Sequence, residues 1–297
     1  MGLKIIPASE PISIETIVLT IYGAPGVGKT SLASSAGRSL LLDCDNGSYR
    51  SSFRRDVVSA TSWADIAGIE ASDVKGYDTL IIDTAGRALD LLSVDIIRTN
   101  PKMGSGGSLN LKGWGELKTR FIAFLNLLRS FGLDVVLVAH ADEKQQGDDL
   151  IERIDMQGSS KNEVYKSSDA MARLSAKTGK RLLAFSPTET AFGKDPADLG
   201  QIEVPDLNAE PEFLGMLISR IKADLNELSE EQAAMKVRRD EWTDRVSACE
   251  APEDFTALVE EAWDGPAKRV LHAAAVAAGL EYDADAKCYA QPEEAAA

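Results

Sequence analysis

Nine consecutive residues, Gly23, Ala24, Pro25, Gly26, Val27, Gly28, Lys29, Thr30 and Ser31, fit the spacing G-x-x-x-x-G-K-[ST] from Gly23 onward. Glycines at these positions let main-chain N–H groups converge on phosphate oxygens, Lys29 can reach the β and γ phosphates, and Thr30 offers a hydroxyl to Mg²⁺. The expected ligands are therefore ATP and Mg²⁺, held by residues 23–31. A glycine-rich turn carrying a chance lysine is the alternative. The β-branched run before it and the helical pattern after it favour the phosphate loop.

A triphosphate site needs an acidic residue for the metal's water shell. In "YDTLIIDTAG", Asp83 closes an apolar run, so its side chain is expected at the same sheet edge as the phosphate loop. Thr30 and Asp83 are the candidate metal residues, and a simple strand cap is the competing role for Asp83. Asp78, at the start of that run, falls at the opposite edge. Hydrolysis further needs a group that orients water. Thr84, Ala85 and Gly86 follow Asp83 and none can do this, which directs attention to "LLLDCDNG", with Asp43 and Asp45 at another strand end.

The elements that must position these residues are visible as alternation. Residues 16–23, 39–45, 77–84, 133–140 and 180–187 are candidate strands, mostly continuous apolar runs of the kind found in a parallel sheet covered on both faces. Between them, residues 114–132 carry Leu117, Phe121, Phe124, Leu125 and Leu128 on one helical stripe, with Gly132 as the stop. The fold class is α/β with a mostly parallel sheet flanked by helices. From Pro211 the text becomes Ala/Glu-rich and helical in period, with no strand expected between helices, so residues 1–209 are assigned to the core and 210–297 to an acidic α-helical C-terminal region.

The chain has 297 residues and a formal net charge of −15, of which −11 lies from Glu210 onward (9 Lys/Arg against 20 Asp/Glu). Such acidity excludes a generally basic surface but leaves room for a local basic groove. Three scattered cysteines support neither a disulfide framework nor a zinc site. No apolar run approaches the roughly 18–20 residues needed to span a bilayer, and the first residues fit neither a secretory nor a transit signal, so a cytoplasmic protein without a membrane partner is expected.

The phosphate loop, an acidic strand end soon after it, a metal aspartate with no adjacent glutamate, and a strand ending "VVLVAH" together resemble the RecA-type branch of P-loop ATPases, and more narrowly the phage-encoded RecA-like ATPases of single-strand annealing and recombination. The resemblance covers about residues 14–205. It implies a RecA-like AAA ATPase core, with the strand of His140 lying between the phosphate-loop strand and the Asp83 strand. It also implies that Asp45, which stands where a D-x-E pattern has its glutamate, positions the attacking water, and that His140 senses the γ phosphate. From pattern alone, an isolated histidine is more often structural. The resemblance further implies hydrolysis at subunit interfaces of a ring or filament, with Lys194 in "TAFGKDPAD" reaching a neighbouring copy.

Two polar stretches are candidate DNA loops. Residues 98–115 carry Arg98, Lys102, Lys112 and Trp114, with Lys118 and Arg120 following, a basic island in an acidic chain. Cations tracking a backbone beside a stacking indole suit single-stranded DNA, while an anchor for the next helix is the alternative role of Trp114. Residues 141–166 are mixed in charge, with Lys161, Asn162 and Lys166 the better placed for DNA.

The expected function is a Mg²⁺-dependent, DNA-stimulated ATPase acting on single-stranded DNA as a homo-oligomer, with a single-strand-binding protein as a further partner and the host bacterial cytoplasm as its location. A loader or remodelling ATPase acting on a protein, and a nucleotide-gated binding module with weak hydrolysis, are the alternatives.

Overall fold

The computed structural model describes residues 3, 5–51, 53, 55–146, 149–157 and 160–292. In chain order its strands are β1 (Val18–Gly23), β2 (Ser39–Asp43), β3 (Asp56–Ser59), β4 (Thr79–Asp83), β5 (Gly104–Ser105), β6 (Ser108–Leu109), β7 (Asp134–Gln146), β8 (Asp149–Ile154), β9 (Ala170–Lys177), β10 (Lys180–Ala184), β11 (Gln201–Val204), β12 (Glu281–Asp283) and β13 (Cys288–Ala290). The helices are α1 (Lys29–Ala33), α2 (Ala64–Ala67), α3 (Ala85–Thr99), α4 (Leu111–Ser130), α5 (Ser160–Ser167), α6 (Phe213–Ser247), α7 (Pro252–Ala257) and α8 (Gly265–Ala277).

The main sheet runs β11-β10-β9-β1-β7-β4-β2-β3, with β8 paired to β7 beyond the sheet. Strands β9, β1, β7, β4, β2 and β3 are parallel, and β10 and β11 close one side antiparallel. The order places β7 between β1 and β4, as expected. Period-two alternation explains why both faces are apolar. Val18, Tyr22, Leu40, Leu42, Leu80, Ile82, Val135 and Leu137 face one buried cluster, which α3 and α4 cover. Leu19, Ile21, Leu41, Ile81, Val136 and Val138 face the other, covered by α1 and the start of α6. The predicted stripe of α4 is the buried one, Leu117, Phe121, Phe124, Leu125 and Leu128, and its N-terminus is capped by Asn110, whose side chain accepts the Gly113 N–H at 3.0 Å.

Neither stretch expected as a loop is one. Residues 98–110 end α3 and fold into a 3-10 turn and the small β5–β6 hairpin, held by Asn110 Nδ2 donating to the Lys102 carbonyl at 2.8 Å. Residues 141–146 and 149–154 form an antiparallel arm in which β7 continues past the sheet and pairs with β8, setting Asp142 opposite Arg153. The Arg153 side chain turns to the Thr190 carbonyl at 2.7 Å, so the arm is held by its main-chain ladder and by this contact, even where the text is too polar for a core strand. The described remainder of 141–166 leads into α5.

The chain divides into Ile14–Leu225 and a second unit, formed from Asn226 onward with the segment before Ile14. The division lies inside α6, later than residue 209, because Leu214, Leu217, Ile218 and Ile221 are still buried in the second core cluster. The change of pattern near 209 marks the end of the strands, not of the core. The second unit has its own small core of Trp242, Val246, Phe255, Leu258, Leu271 and Tyr289, with Trp242 Nε1 donating to the Ala267 carbonyl at 3.0 Å. It is not wholly helical. After α8 it closes with the β12–β13 hairpin, where Tyr289 is pinned by its N–H to Thr256 Oγ1 at 2.9 Å.

Candidate functional site: a nucleotide cleft at the strand ends

Strand register sets the site. Gly23 lies opposite His140, Asp83 opposite Val138 and Asp43 opposite Asp83, so β1, β4 and β2 end together beside His140, where β7 leaves the sheet. In open α/β sheets the edge outside the carboxyl ends of the strands is where ligands bind. A cleft of about 300 Å³ opens there, lined by residues of 25–31 together with Asp45, Arg50, Asp83, Thr84 and His140.

Gly23 must be glycine, because a Cβ there would lie 2.2 Å from the Leu174 carbonyl of β9. Gly28 has φ +99°, a left-handed conformation that side chains resist. These two constraints shape the turn that delivers Lys29. The Lys29 ammonium is buried, donating to the carbonyls of Gly23 at 2.9 Å and Ala24 at 2.8 Å and lying 3.4 Å from His140 Nδ1. An ammonium only donates, so Nδ1 is the acceptor and the ring proton of a neutral His140 is on Nε2. Burial lowers the His140 pKa from its ordinary value, and the Lys29 charge lowers it further, which keeps the ring neutral near pH 7. Burial likewise lowers the Lys29 pKa, with Asp83 and Asp45 pulling the other way.

Thr30 Oγ1 donates to Asp83 Oδ2 at 2.5 Å, which brings a hydroxyl and a carboxylate oxygen together beside the loop. Asp83 is buried, and that burial pushes its carboxyl up to about 6, with Asp43 and Asp45 adding to the rise and Thr30 and Lys29 opposing it. Among the described residues no group of three or more His, Cys, Asp or Glu could hold a metal alone. A two-oxygen donor set suits Mg²⁺, a hard cation that keeps waters and takes further ligands from nucleotide phosphates. Thr30 and Asp83 are the residues that would hold it.

The two aspartates of "LLLDCDNG" have different surroundings. Asp43 is buried and accepts the N–H groups of Gly47 at 3.2 Å and Ser48 at 2.9 Å, so its carboxylate fastens the following turn. Asp45 lines the cleft, its N–H donates to the Asp83 carbonyl at 3.2 Å, and its Oδ1 lies 3.4 Å from Arg87 Nε. Between them, the Cys44 thiol is raised to about 12, chiefly by burial, and is inert as a nucleophile.

Other expected residues lie elsewhere. Lys194 does not line the cleft. Its ammonium donates to the Ser168 carbonyl at 2.5 Å and sits 5.9 Å from the Tyr165 ring centre, so it is bound within its own chain. Arg98 and Arg120 share the buried Asp95, each at 2.8 Å, and Lys118 pairs with Glu163 at 2.9 Å. Trp114 packs against the core cluster beneath α4, which is the anchoring alternative. Lys102 and Lys112 are exposed and have no ion pair among the described residues. Arg50 and Arg87 were missed. The available signal was proximity, since Arg50 follows Asp45 by five residues and Arg87 follows Asp83 by four.

The family model AAA_24, described as an AAA domain, matches residues 15–197, more than half of the chain. This chain belongs to the AAA_24 family. The matched stretch runs from just before β1 to just beyond Lys194 and contains every residue lining the cleft, and an AAA-type domain is a nucleotide-binding ATPase domain. No curated protein matches the chain. No helix among the described residues is long and apolar enough to cross a membrane.

Proposed function

We propose that this AAA domain is a Mg²⁺-dependent ATPase that acts on single-stranded DNA in annealing or recombination of the phage type, working as a homo-oligomer. The observation that carries the ATPase part is the convergence of Lys29, Thr30, Asp83, Asp45 and His140 on one cleft. Lys29 binds the β and γ phosphates. Thr30 and Asp83 would hold Mg²⁺, which when bound would neutralise phosphate charge. Asp45, whose N–H is tied to the Asp83 carbonyl, orients a water toward the γ phosphorus. Neutral His140 donates its Nε2–H to a γ phosphate oxygen, and so reports whether a γ phosphate is present. Asp45 is one methylene shorter than glutamate, which favours slow turnover.

The DNA part rests on the resemblance in sequence together with the exposed Lys102 and Lys112 near Trp114. Because Arg98, Arg120 and Lys118 are engaged in ion pairs, few free cations remain in that segment, and this favours a second reading, a loader or remodelling ATPase whose activator is a protein. ATP turnover measured with and without single-stranded DNA, at low and high salt, separates the two. Stimulation by DNA that fades with salt supports the first, and indifference to DNA sinks it.

A further inference from the structure

Two cations line the cleft, Lys29 and Arg50. The Lys29 ammonium has three acceptors around it, as described. Arg50 is exposed and makes no ion pair among the described residues. Its Nε donates to the Tyr49 hydroxyl at 3.1 Å, and its guanidinium carbon lies 5.1 Å from the Tyr49 ring centre. Its backbone, however, is held. Arg50 ends the 3-10 turn Ser48–Arg50 and its N–H donates to the Gly47 carbonyl at 3.1 Å. The buried Asp43 carboxylate fastens the start of the same turn through Gly47 and Ser48.

The side chain stands beside Asp45 at the cleft. A Cβ placed on Gly47 would lie 3.6 Å from Asp45 Oδ2 and 3.9 Å from the Arg50 guanidinium carbon, so the carboxylate and the guanidinium flank one point. The next residue, Ser51, has its Oγ 3.3 Å from Ser31 Oγ, which ties the end of the turn to the residue after Thr30. Of the other basic groups nearby, Arg87 pairs with Asp45 and Asp90, Lys194 donates to the Ser168 carbonyl, and Arg181 lies against the phosphate loop, its Nη1 2.8 Å from where a Cβ on Gly28 would stand, but outside the lining of the cleft. A planar, always-charged fork of donors without a carboxylate partner is well matched to phosphate oxygens.

We propose that Arg50 is a catalytic residue acting in cis, its guanidinium bonding the γ phosphate and stabilising the charge that develops as the phosphoryl group transfers. This rests on the ATPase reading of the cleft. In the step it serves, the water oxygen bonds to the γ phosphorus while the bond from that phosphorus to the β–γ bridging oxygen breaks. The electron pair leaves with ADP, the water's proton passes to solvent, and inorganic phosphate is the second product. Arg50 stays protonated throughout.

The test uses the full chain with Mg²⁺, comparing wild type, Arg50→Ala and Arg50→Lys. ATP hydrolysis is followed in single turnover over a range of protein concentrations, and affinities are measured for ADP, ATPγS and ADP with aluminium fluoride. Arg50→Ala is expected to slow hydrolysis by about 10³-fold, to leave ADP affinity nearly unchanged, and to lose most of its affinity for the fluoride complex. The lysine variant should recover part of both losses. The wild-type rate per protomer should not depend on protein concentration. Unchanged hydrolysis in Arg50→Ala, or an equal loss of affinity for all three ligands, would overturn the proposal, as would a wild-type rate that rises with concentration while Arg50→Ala stays equally active. Wild-type protein that neither binds nor hydrolyses ATP sinks the ATPase reading and this proposal with it. An active wild type indifferent to Arg50 sinks this proposal alone.

Discussion

Aspartates stand at both edges of the sheet, and their surroundings differ. Where the strands begin, each is matched to a cation or to backbone donors. Asp78 pairs with Arg38 at 2.6 Å, Asp134 accepts from Lys222 at 2.7 Å and from the Ile17 N–H at 2.9 Å, and Asp169 accepts the Val18 N–H at 2.7 Å beside Arg129 at 3.4 Å. Where the strands end, Asp43, Asp45 and Asp83 crowd together, and the buried Asp83 is pushed up to about 6 while the Arg38 hydrogen bond holds Asp78 below its ordinary value. Each of these aspartates at the first edge is a staple, whereas at the second Asp43 alone plays that part and Asp83 is a buried carboxyl that pairs with no cation among the described residues. The second arrangement costs stability, and it makes sense where phosphates and a divalent cation are to bind.

The contrast can be broken by substitution, and the largest effect should be on chemistry. Asp45→Asn at the strand-end edge should keep ATP affinity and lower kcat by about 10²–10⁴-fold, read by phosphate release at saturating ATP. If Asp43→Asn gives that split instead, the roles of the two residues are exchanged. Asp43→Asn should instead loosen the 47–50 turn and weaken catalysis indirectly, through Arg50.

Next in size are opposite effects on stability. Asp134→Ala should destabilise the protein by about 2–4 kcal/mol in denaturant titration, because it leaves the Ile17 N–H and the half-buried Lys222 ammonium without their acceptor. Asp83→Asn should stabilise the nucleotide-free protein at pH 7 by about 1–3 kcal/mol, since it removes a carboxylate that burial disfavours. Two losses of similar size would mean that the edges do not differ in this way.

The pH dependence sharpens the same point. A carboxyl raised from 3.8 to about 6 binds its proton more tightly in the folded state, so its contribution to stability is full below 3.8 and is lost as pH rises to about 6. Asp78, lowered by Arg38, contributes in the opposite sense. Its support is present above the ordinary carboxylate range and is lost as pH falls through its depressed value, with a small amplitude because the pair is exposed. Subtracting the melting curves of Asp83→Asn from those of wild type across this window should isolate the first slope. The smallest predicted change concerns the flank: Lys102→Ala and Lys112→Ala should each reduce the salt dependence of single-stranded DNA binding by about one counterion.

What was visible in the sequence was whatever rested on a strong local signal. The phosphate loop, the β-branched runs of β1, β4 and β7, and the stripe of α4 are such signals. The resemblance added the placement of β7 between β1 and β4. Strand β9 was not visible. It is built from Ala170, Met171, Ala172 and Leu174 with no β-branched residue, so its local pattern does not distinguish it from a helix. The β7–β8 arm was hidden by charge, since "ADEKQQ" resembles a loop until its partner strand is known. Long-range pairing also decided the fate of the cations. Nothing local to Lys194 predicts that its ammonium turns to Ser168, and nothing local to Arg98 predicts that it shares Asp95 with Arg120. Within "LLLDCDNG", by contrast, the separation of Asp43 from Asp45 is a consequence of the strand's end: the first still points into the turn and the second into the cleft.

The central claim, that the strand-end edge is an ATP-hydrolysing site built around the phosphate loop, is tested most directly by Mg²⁺-dependent phosphate release from ATP by wild type and Lys29→Ala side by side. The account predicts turnover by the wild-type protein that disappears in Lys29→Ala and on chelation of Mg²⁺. Equal release by the two proteins would contradict it.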